Sequence, residues 1–171
     1  MYNNPDEPYI TKLMNLTLEC LKRMNYNMIE HAFNVAELAH RGQTRWDGKT
    51  PYIVHPKAVA EMMKSEDAKV VALLHDVVED TDVTLEDLKE DFPKHIVNAV
   101  DAMTKRDDED YVDYLDRLSE DNIAISVKIA DITHNMSTAG NKKGSLIDKW
   151  KLAIKYLHLK KAQQMIRSGS W

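Results

Sequence analysis

Leu73-Leu74-His75-Asp76-Val77-Val78-Glu79-Asp80-Thr81 is the stretch on which the reading of this chain turns. Four titratable side chains, His75, Asp76, Glu79 and Asp80, interrupt an otherwise apolar run. Within one helix over Asp67 to Glu79, His75 and Glu79 lie at i, i+4 on one face, and Asp76 and Asp80 do the same beside them. Unpaired charge on a buried helix is costly, so the cluster calls for an explanation. A divalent metal held by His75 and Asp76 is the economical one, with Glu79 and Asp80 placed to manage a water. The plainer alternative is an internal His75–Asp76 salt bridge.

Outward from this stretch, 171 residues are enough for one domain with one good core. We expect a flexible N-terminal arm over residues 1–8 and a single domain over 9–171. Only five glycines and five prolines occur, Leu, Met, Ala, Lys, Glu and Asp abound, and the apolar content is 43%. That composition favours an all-α protein. A net charge of −5 argues against a general nucleic-acid face, which needs clustered cations, and leaves room for a small phosphorylated ligand. The single cysteine, Cys20, permits no disulfide framework and suits a reducing cytosol; it reads as an ordinary helix position. The polar, acidic N-terminus has no signal-peptide core, and no apolar run approaches the roughly 18 residues of a membrane span. A cytoplasmic protein with no membrane partner is expected; its oligomeric state is left open.

Taken in order, Tyr9 to Met24 and Met28 to His40 read as helices, the second with Ile29, Ala32, Phe33, Ala36 and Ala39 on one stripe. Arg41 to His55 cannot be a continuous helix: it holds two glycines and a proline. Its three cations and Trp46 suit ligand contact, and equally a solvated connector with Trp46 packed beneath it. His55-Pro56 opens the next helix, to about Lys64, because proline is tolerated in a first turn. Thr84 with Asp87 reads as a capping-box variant starting a short helix to Asp91. Lys94 to Met103 and Tyr111 to Leu118 are further helices, and the charge run Lys105 to Asp110 between them reads as a solvated loop. Asn122 to Asn135 carries Ile123, Val127 and Ala130 at helical spacing, with Asp131 following that buried face. Gly140 and Gly144 mark a loop. Asp148 to Ile166 is the last helix, with Leu152, Tyr156, Leu159 and Ala162 on one side.

Of seven histidines, only His75 has an acid immediately beside it inside an apolar helix. His55 sits at a helix start, where its ring can aim into a cavity or simply be hydrogen-bonded. With Asp131 pointing inward, His55, His75, Asp76 and Asp131 make a set of two imidazoles and two carboxylates. Mixed nitrogen and oxygen ligation suits Mn²⁺, Fe²⁺, Zn²⁺ or similar ions and leaves room for water or substrate.

His55, His75-Asp76 and Asp131, in this order, resemble the HD-domain metal-dependent phosphohydrolases. Three blocks, Arg45 to Pro56, Leu74 to Thr81 and Val127 to Met136, look like the alarmone hydrolase domain of the bifunctional stringent-response enzymes. They look equally like the stand-alone small alarmone hydrolases of the Mesh type. The resemblance spans about residues 28 to 160 and implies a single helical bundle of roughly eight to ten helices. It implies hydrolysis of the 3′-pyrophosphate of (p)ppGpp to GDP or GTP and pyrophosphate. The alternatives are another nucleotide (an adenosine alarmone, NADPH or a nucleoside phosphate) and a module that binds an alarmone without cleaving it.

Residue by residue, the resemblance gives His55, His75, Asp76 and Asp131 to the metal, typically Mn²⁺ in this branch. Glu79 and Asp80 match the pair that orients and deprotonates the attacking water. Arg45 matches the arginine that stacks on the nucleobase, and Asn135 and Thr138 match positions at the sugar and phosphates. Lys128 fits its block too and reads as structural or as backing the ligands. Two departures stand out. Trp46 replaces a common lysine, where it can stack or pack the loop, and Ser137 replaces a common arginine before Thr138. Both remove a cation near the nucleotide and bear on substrate choice. Tyr156 is a further candidate to close the pocket.

Overall fold

A computed structural model describes residues 12–13, 28–140 and 144–169. The expected arm over residues 1–8, Cys20 and nearly all of the first expected helix lie outside the described residues. Among the described residues every regular element is an α-helix, and the one extended feature is an isolated bridge between Thr44 and Pro51. The all-α expectation holds. We number the helices α1 (residues 28–39), α2 (Val54–Glu61), α3 (Glu66–Leu74), α4 (Val77–Asp80), α5 (Leu85–Asp91), α6 (Lys94–Met103), α7 (Tyr111–Leu118), α8 (Asn122–Ser137) and α9 (Gly144–Ser168).

The core is built around α3, which packs against α2, α6 and α8. Its sequence explains that place: Val70, Val71, Ala72, Leu73 and Leu74 are all buried, so the helix is apolar nearly all round. Ser65 caps it, its hydroxyl accepting the Ala68 amide. On α1, Ala32 and Ala36 are fully buried one turn apart, as small residues at a close approach must be. The capping box of Thr84 and Asp87 forms as expected and starts α5.

Two expectations are corrected. The helix through the opening stretch is not continuous: α3 ends at Leu74 and α4 begins at Val77. Asp76 between them sits at φ −102°, ψ −6°, the sparsely allowed bridge region that active-site residues often occupy. The i, i+4 pairing of His75 with Glu79 therefore fails: His75 turns into the core, while Glu79 and Asp80 stay exposed. On α9 the apolar stripe is also different. Leu152 and Leu159 are 68% and 57% exposed, and it is Ala153 and Leu157 that are buried. A spacing argument finds a stripe but cannot say which of two interleaved stripes faces a partner.

The charge run over Lys105 to Asp110 is a largely exposed loop, as expected. Arg106, Asp107 and Asp108 are exposed, while its ends are tied down. The Lys105 amide donates to Glu79 Oε2 at 3.1 Å, and Asp110 caps α7 by accepting the Val112 amide. Glu109 receives two parallel bonds from Arg117, each 2.7 Å. This fork-to-fork geometry is the strong form of the charged hydrogen bond. Arg117 also donates to the Thr104 and Asp101 carbonyls, fastening the loop to the end of α6.

Arg117 holds the Glu109 carboxyl down at about 2, from a usual value of 4.5. A depressed carboxylate stabilises the fold above its unfolded value and loses that contribution as pH falls toward its folded one. Glu109→Gln is therefore expected to cost about 0.5–1 kcal/mol at pH 7, because the pair lies close to solvent and glutamine keeps one acceptor for Arg117. Thermal melts followed by circular dichroism should show the gap to the wild type closing as pH drops from 4.5 toward 2.

Candidate active site

The break after Leu74 delivers the site. His75 Nδ1 donates to the Ala72 carbonyl at 2.8 Å, which fixes the ring and leaves Nε2 with its lone pair directed inward. Pro56 and His55 are buried in the first turn of α2, so the His55 ring enters the core from the opposite side. Asp131 enters from the buried face of α8. His55, His75 and Asp76 each bring one ligand atom within 4.8 Å of the others. Asp131 Oδ1 lies 3.1 Å from His55 Nε2 and 3.8 Å from His75 Nε2.

This is a cluster in search of a cation. His75 Nε2 is 3.0 Å from Asp76 Oδ2, but the approach is not aligned, and the buried atom has no hydrogen-bond partner. Burial by itself would lower the His75 imidazole; Asp76 and Asp131 outweigh it and raise it to about 10. A site that draws a proton this strongly offers the same electrostatic invitation to a metal ion, which takes the proton's place. The residues present thus fit a divalent metal: two imidazoles and carboxylate oxygens converging on one point, with one imidazole nitrogen orphaned.

The neighbours orient these groups. Lys128 Nζ pairs with Asp131 Oδ2 at 3.0 Å. Burial works against that ammonium, yet Asp131 holds it well above its usual value; conversely Lys128 and the two imidazoles overcome burial and keep Asp131 well below its own. His55 Nδ1 lies 2.7 Å from His134 Nδ1, so one ring donates to the other. If His55 Nε2 faces a metal, its Nδ1 carries the proton and His134 accepts it. Tyr52 donates to Asp76 Oδ2 at 2.6 Å and lies 3.2 Å from Asp80 Oδ2. Burial and the two carboxylates push the phenol far above its usual value, so it stays a donor.

Glu79 and Asp80 sit just beyond, at the solvent edge. Partial burial raises both carboxyls, and Asp76 adds to the effect. Carboxylates at the edge of a cation site are placed to accept a proton from a water held there. Alongside opens a cleft of about 310 Å³ between Arg45, Trp46, His55, His134 and Thr138. A larger cavity of about 490 Å³ at Ile29, Phe33, Lys57 and Leu73 includes none of the cluster residues, so the smaller cleft is the chemically relevant one.

Of the substrate candidates, Arg45 donates to Asn135 Oδ1 at 2.6 Å, and Asn135 Nδ2 donates to Asp131 Oδ1 at 2.6 Å. Trp46 is 43% exposed, its ring 4.1 Å from the Arg45 guanidinium, and its indole N–H donates to the Thr138 carbonyl at 3.0 Å. The Thr138 hydroxyl turns back to the His134 carbonyl. Tyr156 does not join them; its hydroxyl is bonded to Asp116, and it lines a separate apolar hollow with Tyr111 and Leu152. Sequence reasoning missed Tyr52 and His134. Both were within reach of a spacing argument, since Tyr52 precedes His55 by three residues and His134 follows Asp131 by three.

The chain matches the HD domain family over residues 32–155, and it belongs to that family. Over 128 residues it is 38% identical to the bifunctional (p)ppGpp synthase/hydrolase SpoT of Escherichia coli K12, covering 66% of this chain and 18% of that protein. Over 143 residues it is 37% identical to the guanosine-3′,5′-bis(diphosphate) 3′-pyrophosphohydrolase of Vibrio cholerae, covering 75% of this chain and 20% of that protein. The chain thus spans about a fifth of the length of these relatives. A solved structure described as a metazoan ortholog of SpoT that hydrolyses ppGpp aligns with a TM-score of 0.64 at 23% identity, covering 84% of this chain and 97% of that one. That likeness speaks for the fold.

A metal at this cluster should stabilise the folded state. At a metal concentration 100 times Kd the gain is about 2.7 kcal/mol, a rise of several degrees in Tm. Scanning calorimetry with added divalent ion is expected to show this rise, chelator to reverse it, and Asp76→Asn to lose most of it.

Proposed function

We propose that this chain is a metal-dependent hydrolase of guanosine alarmones. It removes the 3′-pyrophosphate of (p)ppGpp and releases GDP or GTP with pyrophosphate. The observation that carries the reading is the convergence of His55, His75 and Asp76 around an orphaned imidazole nitrogen, with two raised carboxyls beside it. Membership of the HD family and the named activities of the bacterial relatives support the choice of substrate.

The metal would be held by His55, His75, Asp76 and Asp131, and the mixed donor set suits Mn²⁺. When bound, such an ion makes water more acidic and neutralises charge on the phosphates. Glu79 and Asp80 accept the proton of the attacking water. A P–O bond forms to that water, the bond from phosphorus to the ribose O3′ breaks, and O3′ leaves with a proton as the free hydroxyl. Arg45 and Asn135 hold the nucleotide in the cleft, and Asn135 ties that contact to Asp131. No helix among the described residues is long and apolar enough to cross a membrane, as suits an enzyme of a small polar nucleotide.

A second reading concerns the base. Trp46 already covers one face of the Arg45 guanidinium, so the nucleobase meets an indole as well as an arginine. Stacking of this kind tolerates any purine. An adenosine alarmone or another nucleotide is the alternative substrate.

A nucleotide panel with Mn²⁺, scored for pyrophosphate against orthophosphate, decides between them. We expect pyrophosphate from ppGpp and none after chelation; intact ppGpp beside turnover of another nucleotide would replace the first reading with the second. Glu79→Gln with Asp80→Asn is expected to cut kcat by about 100-fold or more while metal content holds, the usual scale for loss of acid–base catalysis. Unchanged turnover would remove the pair from the mechanism.

A further inference from the structure

Tyr52 has no part in the proposed chemistry so far, yet it touches both halves of the site. Its hydroxyl donates to Asp76 Oδ2, the same oxygen that lies 3.0 Å from His75 Nε2 and 3.7 Å from His55 Nε2. The same hydroxyl is 3.2 Å from Asp80 Oδ2. A phenol has one proton and can donate to only one of these carboxylates at a time.

The ring is held so that the hydroxyl cannot wander. The His40 ring lies 4.5 Å from it, and the His55 ring meets it edge-on at 6.0 Å. His40 is itself buried and hydrogen-bonded to Gln43 Oε1 at 2.8 Å. Gln43 in turn donates to the Asp80 main-chain carbonyl at 3.0 Å and accepts the Tyr52 amide at 3.0 Å. Asp80 is thus gripped twice from this loop, by its backbone through Gln43 and by its carboxylate through Tyr52. Arg45 of the same loop sits 5.5 Å from the Tyr52 ring.

We infer that Tyr52 is a positioning residue that joins metal binding to the aim of Asp80. It holds Asp76 Oδ2 in the orientation that presents it to a metal. A carboxylate oxygen that gives a lone pair to a cation is a poorer hydrogen-bond acceptor. The phenol proton then shifts toward Asp80 and fixes that carboxylate where it meets the attacking water. Metal occupancy and the orientation of the proton acceptor are linked through one hydroxyl. This rests on the proposed metal-dependent hydrolysis.

Tyr52→Phe tests it, because phenylalanine keeps the ring contacts and removes only the hydroxyl. Three readouts are needed: Mn²⁺ affinity by titration calorimetry in the absence of nucleotide, kcat and KM separately, and Tm of the metal-free protein. Groups that hydrogen-bond a ligating side chain usually matter 10- to 100-fold, so we expect about a 10-fold loss of Mn²⁺ affinity. At saturating metal we expect kcat to fall by about 10-fold or more with KM little changed, since Tyr52 acts on the proton acceptor and not on the nucleotide. The metal-free Tm should fall by only a few degrees, the cost of one hydrogen bond to a carboxylate.

Unchanged affinity and kcat would overturn the inference. So would a rise in KM alone, which would make Tyr52 a wall of the cleft, or a lower metal-free Tm with affinity intact, which would make it structural. A wild type that binds no divalent ion would bring down the proposed function itself. A wild type that binds Mn²⁺ but spares ppGpp would fail only the substrate choice and leave the affinity comparison decisive.

Discussion

The interior of this bundle contains a charge problem that the fold is arranged to contain. Two carboxylates, Asp76 and Asp131, one ammonium, Lys128, and two imidazoles, His55 and His75, meet where α2, α3 and α8 converge. Lys128 offsets one carboxylate and leaves the other. An uncompensated buried charge costs several kcal/mol, so the remaining negative charge must be matched by a proton or an ion. The upward shift of His75 and the orphaned Nε2 on the same ring are two expressions of that deficit. The helices hold the arrangement: Val70 to Leu74 of α3 are all buried, and His75 follows them directly.

Much of this was legible in the sequence for a definite reason. His75-Asp76 inside an apolar run is a violation of the usual burial pattern, and such violations mark function. Asp131 could be placed inward because Val127 and Ala130 set the phase of α8, and both are buried. The capping box at Thr84 and the proline in the first turn of α2 were local signals with local causes. What failed was the helical geometry between His75 and Glu79. Periodicity assumes an unbroken helix, and at the turn Asp76 bonds Tyr52, a residue 24 positions earlier that no local pattern announces. The α9 stripe failed for a related reason. Leu152 and Leu159 satisfy the spacing as well as Ala153 and Leu157 do, and only the partner helix α8 decides between them.

In sequence the loop over residues 41–53 suits ligand contact and a solvated connector equally, and its conformation is well specified. Gly48 takes φ +68°, and the Asp47 carboxylate accepts the Lys49 and Thr50 amides at 2.9 Å each. One side of the loop faces the cleft through Arg45 and Trp46. The other reaches Asp80 through Gln43 and Tyr52. The loop thus has two contact faces, one toward the cleft and one toward Asp76 and Asp80.

This arrangement separates substrate choice from chemistry without disconnecting them. Trp46, one of the two residues at which the resemblance departs, lines the cleft, while the Ser137 hydroxyl turns back to the His134 carbonyl. Trp46 bonds the Thr138 carbonyl and stacks on Arg45, so a change there alters the surface a base meets. Yet Arg45 reaches Asp131 through Asn135 in two bonds of 2.6 Å, and the loop reaches Asp76 through Tyr52 in one. On the proposed function, a nucleotide held by Arg45 would act on a group already bonded toward Asp131, so binding in the cleft and order among the candidate ligands would draw on the same two hydrogen bonds.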